Sequence, residues 1–192
     1  MKKILLILGV MLAFTSISYS YYPFCIQCPE VPFQTGSVSF TTPDGCQVSV
    51  LFGWRDVSCP PPNYTHQVLI YGFVLVNPGC EAYTLDNSTL RDLAVPAIYN
   101  SGQLPANWIP LEGDCYDNYE FVSWGCMYFD WNYQGPGPTG QGSSGWFPCD
   151  LSECCINHIT VCRTNNQIVI SSQQQSTVSC EEGEAGCTSQ CP

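Results

Sequence analysis

The sequence predicts a mostly β protein: a disulfide-rich antiparallel β-sandwich or open barrel with one short helix. Three observations point there. Fourteen cysteines all follow an apolar leader, apolar runs of strand length recur along the chain, and one segment alone carries helical spacing.

The leader reads MKKILLILGVMLAFTSISYS. Lys2 and Lys3 form a basic start, Ile4 to Phe14 an apolar core, and Ser18-Tyr19-Ser20 a cleavage site. Residues 1–20 therefore read as a secretory signal peptide, too short to anchor across about 30 Å of hydrocarbon. No later run is apolar enough to span a bilayer, so no transmembrane segment is expected after the signal is removed. Tyr22-Pro23-Phe24 before Cys25 lacks the small residues of a lipoprotein site. The expected location is secreted, either extracellular or periplasmic.

Residues 21–192 are expected to form a single disulfide-stapled β domain. Residues 21–34, with three prolines, read as an extended N-terminal arm. Cys46 to Trp54 alternates, with Cys46, Val48, Val50, Phe52 and Trp54 on one side, as a half-buried strand does. Cys59-Pro60-Pro61-Pro62 is a stiff connector. Val68 to Val76 is apolar on both faces and rich in β-branched and aromatic residues, which suits a central strand. The helix follows, capped by Asp86, Asn87 or Ser88, with Leu90, Leu93, Ala94 and Ala97 on one face and Pro96 limiting its extent. Residues 115–133 are aromatic and strand-like, and Gln134 to Gly145 is a Gly/Pro-rich loop. Ile156 to Arg163 and Gln167 to Ser172 make a hairpin around Asn165-Asn166, with Val161 opposite Ile170 and Arg163 opposite Ile168. An acidic, Cys-rich tail begins at Cys180.

An exported chain with an even number of cysteines, about 8% of its mature length, is expected to pair them all. The disulfide-forming set is Cys25, Cys28, Cys46, Cys59, Cys80, Cys115, Cys126, Cys149, Cys154, Cys155, Cys162, Cys180, Cys187 and Cys191. The densest stretch, CDLSECCINHITVC from Cys149, invites a metal reading. On a strand, however, His158 and Cys162 lie roughly 13 Å apart along the chain, whereas zinc gathers its donors within about 2.3 Å of one ion. Adjacent Cys154 and Cys155 point to opposite faces and fasten two layers. The stretch reads as a staple, and no metal site is expected. Cys25-Ile-Gln-Cys28 has redox spacing but no following helix to lower a thiol pKa, so it too reads as structural.

Formal net charge is −11, and loss of Lys2 and Lys3 makes the mature chain more acidic. Only Arg55, Arg91 and Arg163 remain as permanent cations, which excludes nucleic acid as a partner. The absence of further lysines also excludes Schiff-base and P-loop chemistry. Two glycosylation sequons, at Asn63 and Asn87, matter only in a host that reads them. Asp114, Asp117, Asn118, Glu120 and Asp130 could offer oxygens to Ca²⁺, the one cofactor the composition leaves open, although the ordered calcium-loop pattern is absent.

Three functions follow from these residues. The first is a secreted or cell-surface structural or interaction protein without catalytic activity, its partner a protein or glycan at the cell surface. The second is a glycan-binding module with an aromatic surface in 115–147, using Trp124, Tyr128, Trp131, Tyr133 and Trp146. Filling the sheet core is the competing use of those rings. The third is a small secreted hydrolase built on His66 or a carboxylate pair. No catalytic residue is singled out by a motif.

Overall fold

The computed structural model describes residues 31–57, 66–76, 80, 87–133, 143–149, 154–174 and 187–189. The expected leader, most of the expected arm, the expected connector Cys59 to Pro62, most of the expected tail and residues 134–142 of the expected Gln134–Gly145 loop lie outside them, while Ser143 to Gly145 belong to a strand instead. The described chain is mostly β, a curled open sheet forming a half-barrel. Its strands are β1 (Gln34–Thr41), β2 (Gln47–Asp56), β3 (His66–Leu75), β4 (Cys115–Trp124), β5 (Cys126–Tyr133), β6 (Ser143–Pro148), β7 (Cys154–Thr164), β8 (Gln167–Gln174) and β9 (Thr188–Ser189). Among the described residues, helix α1 (Asn87–Asn100) and a 3-10 turn (Ala106–Trp108) lie between β3 and β4.

Strand β3 is the hinge of the architecture. One edge pairs with β2 along its length, and β2 in turn carries β1. The other edge is shared: His66 to Leu69 pairs with β4, and Phe73 to Leu75 with β6. The sheet therefore forks into a β4-β7-β8 wing and a β6-β5-β9 wing. At the fork Trp124 Nε1 donates to the Tyr71 carbonyl at 3.2 Å, a group lying between the two ladders.

Most pairings are antiparallel, as the sequence suggests. The β3–β4 pair is parallel, because the chain crosses over through α1 before it re-enters the sheet. Helix α1 also differs from its sequence reading. Pro96 sits inside it, and the helix continues past the proline to Asn100 rather than ending there. The carbonyl that loses its donor belongs to exposed Asp92, where water can replace it. Its buried side carries Leu90, Ala94, Val95, Ile98 and Tyr99, while Leu93 and Ala97 are only partly covered. The helix packs against β1 and β8, and Gln103 Nε2 beyond it donates to the Ser37 carbonyl of β1 at 2.7 Å.

Strand β2 is buried on both faces rather than one. Strand β1 has clear alternation, with Gly36, Val38 and Phe40 facing inward and Thr35, Ser37, Ser39 and Thr41 exposed. The β7–β8 hairpin pairs Val161 with Ile170 and Arg163 with Ile168. Its turn residues Asn165 and Asn166 both have positive φ, 53° and 61°, the geometry asparagine tolerates best after glycine.

That turn is held from outside the hairpin. The Glu112 carboxylate accepts from Asn165 N at 2.5 Å and Asn166 N at 2.9 Å, and Arg163 donates to Asn166 Oδ1. Glu112→Ala should therefore destabilise the hairpin by about 1 kcal/mol. Amide exchange at Asn165 and Asn166 should quicken while the core stays protected, and unchanged exchange there would contradict this role.

Candidate functional site

All nine described cysteines are disulfide-bonded. Cys46–Cys80, Cys115–Cys162 and Cys149–Cys187 have both partners described, and Cys126, Cys154 and Cys155 are bonded as well. Cys25, Cys28, Cys59, Cys180 and Cys191 lie outside the described residues. The four cysteines of CDLSECCINHITVC are thus all covalently fastened. Among the described residues no group of three or more His, Cys, Asp or Glu could hold a metal ion.

Two polar groupings stand out at one level of the sheet. Register aligns Arg55, Gln67, Glu120 and His158 across β2, β3, β4 and β7, so the four side chains share a face. Arg55 Nε donates to Gln67 Oε1 at 2.8 Å, and Gln67 Nε2 donates to Glu120 Oε1 at 2.7 Å. Glu120 Oε2 lies 3.7 Å from His158 Nε2. Arg55, 2% exposed, also donates to the Val31 carbonyl at 2.6 Å and lies over the Phe33 ring. One cation therefore ties the end of the arm to the sheet.

Burial raises the Glu120 carboxyl above its ordinary pKa, opposed by the Gln67 hydrogen bond and the Arg55 charge. Burial lowers the His158 imidazole. Both shifts favour neutral forms, and 3.7 Å is long for a hydrogen bond. Burial disfavours the charged form of each partner, so the Glu120–His158 contact is a weak one. For Glu120 the folded value is the raised one. Its contribution is full below the ordinary carboxylate range and is lost as pH rises through the folded value. The melting temperature of Glu120→Gln should accordingly gain on wild type between pH 4 and pH 7, and parallel curves would refute the assignment.

One residue along, and on the opposite face, Asp56, His66 and Tyr119 stand in register. His66 Nδ1 is 2.6 Å from Asp56 Oδ1. The imidazole lies 4.3 Å from the Trp108 ring and 5.2 Å from the Tyr119 ring, centroid to centroid. The Tyr119 hydroxyl donates to the Trp108 carbonyl, which locks the 3-10 turn over β4. Tyr99 from α1 meets Tyr119 edge-on, and burial pushes both phenols well above their usual pKa. Asp56 is 66% exposed and the His66 side chain 14%. The pair is therefore a carboxylate-oriented imidazole at the rim of an aromatic wall.

No family model, no curated protein and no solved structure matches the chain. Its chemistry has to be argued from the residues alone.

The residues expected to form an aromatic surface separate. Trp124 is 1% exposed and Trp146 2%, the first filling the fork beside Tyr71 and the second meeting Phe129 edge-on. Neither ring is presented to solvent: Trp124 lies at the fork and Trp146 where β6 joins β3, and each buries a large apolar side chain there. Tyr128 is half-buried, near Phe147. The side chains of Trp131 and Tyr133 lie outside the described residues, although both belong to β5.

The oxygens considered for Ca²⁺ are also used differently. Asp114 and Asp117 are exposed, Asp130 is partly covered and Glu120 points into the buried row; the Asn118 side chain is not described. Sequence reasoning missed Arg55 and Asp56. The signal for Arg55 was present: a lone cation ending an alternating apolar strand. Asp56 gave none, since its partnership with His66 depends on hairpin register across a long connection.

Proposed function

We propose that this chain is an exported structural or interaction protein that works outside the cytoplasm and carries out no chemistry of its own. The observation that carries the reading is the engagement of every described cysteine in a disulfide, the state an oxidising compartment maintains. One further feature supports it: the buried polar row ties the arm and strands together, a structural use of its charges.

Its partner on this reading is a protein or glycan at the cell surface. For a glycan the remaining rings are Tyr128, Trp131 and Tyr133 on β5, since Trp124 and Trp146 are spent on the core. The test is expression of the full chain in an exporting host, followed by fractionation, intact mass before and after reduction, and chemical cross-linking at the cell surface. Fourteen alkylations appearing only after reduction, with a reproducible cross-linked partner, are expected. Cytoplasmic retention with free thiols would overturn the reading.

A second reading has one observation in its favour. The Asp56–His66 pair orients an imidazole as hydrolases orient a general base. On that reading a panel of ester, glycoside and peptide substrates should reveal turnover that His66→Ala abolishes and Asp56→Asn weakens. Turnover of that kind would replace the first proposal.

A further inference from the structure

Among the described cysteines, Cys115 alone is exposed to solvent. Cys46 and Cys80 are 4% and 3% exposed, and Cys149 and Cys187 are half-buried. Cys115 faces its partner Cys162 directly across β4 and β7, where the ladder ends. Immediately beyond, Arg163 N donates to the Asp114 carbonyl and Gly113 N donates to the Arg163 carbonyl. The 111–114 turn then clamps the β7–β8 turn through Glu112. The bond is therefore both the most accessible of the three with described partners and the covalent element of this clamp.

We propose that Cys115–Cys162 is a thiol-exchange site that opens before Cys46–Cys80 and Cys149–Cys187, and that its opening releases the 111–114 turn from the hairpin. The reaction needs two donor thiol groups, from one dithiol or from two monothiol molecules. A donor thiolate attacks the sulfur of Cys115, the more exposed residue of the pair; the Cys115–Cys162 bond breaks, and Cys162 leaves as a thiolate. The second donor thiol resolves the mixed disulfide, leaving two protein thiols and an oxidised donor. Exposed disulfides are the exchangeable ones, and buried ones resist. Glu112, Asp114 and Asp117, all exposed and near Cys115 in the chain, repel a donor that carries negative charge beyond its thiolate. The site therefore selects uncharged or cationic thiols.

The test treats the folded full chain with low dithiothreitol, traps thiols by alkylation and maps them by mass spectrometry. Cys115 and Cys162 should label while Cys46, Cys80, Cys149 and Cys187 do not. Earlier labelling of either other pair, or simultaneous labelling of all three, overturns the proposal. Cationic cysteamine should open the bond faster than anionic glutathione, with the gap closing at high salt; equal rates at low salt would reject the charge selection. Amide exchange at Asn165 and Asn166 should quicken in the partly reduced chain and in Cys115→Ser/Cys162→Ser alike. Unchanged exchange in both would reject the release step.

Discussion

Arg55→Met should lower stability at neutral pH by about 3–5 kcal/mol, the penalty expected when one partner of a buried charged network is removed. Arg55 is 2% exposed, and its guanidinium serves Gln67, the Val31 carbonyl and the Phe33 ring among the described residues. Methionine replaces much of the volume but none of the donors. Through Gln67, the loss reaches Glu120, whose carboxyl Arg55 holds down against burial. Without the cation that carboxyl rises further, so it favours its protonated form over a wider pH range. The sign follows directly. The penalty should be largest near pH 7 and should shrink as pH falls toward the ordinary carboxylate range, where Glu120 is protonated in both chains. Urea denaturation of the two proteins at several pH values measures it. Arg55→Met combined with Glu120→Gln should recover part of the loss, because neighbours in one network couple. A strictly additive double variant would show that the row is not one network.

Gly145→Ala should destabilise by about 3 kcal/mol or more, at the upper end for overpacking. A Cβ at this position would lie 2.1 Å from the Phe73 carbonyl oxygen, and 3.1 Å from both Phe73 C and Val74 Cα. The opposing atoms are backbone, so no side chain can swing aside. The converse contact, from a Cβ on Gly72 to the Trp146 carbonyl oxygen, would be 2.6 Å. Two glycines thus let β3 and β6 approach where the second wing attaches. Adding the methyl should pry β6 from β3 and expose Trp146, now 2% exposed. A lower urea midpoint with red-shifted tryptophan emission is expected, and Ser144→Ala serves as a control of similar size. An unchanged midpoint would mean that the wings can separate slightly without loss.

The alternation of Gly36, Val38 and Phe40 was legible and simply lies between more conspicuous runs. The Ser143–Pro148 strand was hidden in a glycine-rich stretch, where composition favours a loop. Its strand character comes from pairing with β3 and β5 on either side. Pro96 shows the same limit for the helix. Propensity argues for an end at that residue, yet packing of Ile98 and Tyr99 into the core outweighs one lost hydrogen bond.

The sequence by itself determined the mostly β class, the central apolar strand, the asparagine turn with its register, and the bonded state of the described cysteines. These follow from local rules: period two, β-branching, positive φ, and the pairing expected of a dense, even set of cysteines. Tertiary structure alone decided the fork at β3, the parallel entry of β4, the burial of Trp124 and Trp146, and the alignment of Arg55, Gln67, Glu120 and His158. Each of those depends on which strand lies beside which. Neighbours in a sheet are set by the total fit of the core, and residues far apart in the chain meet only after that fit is made.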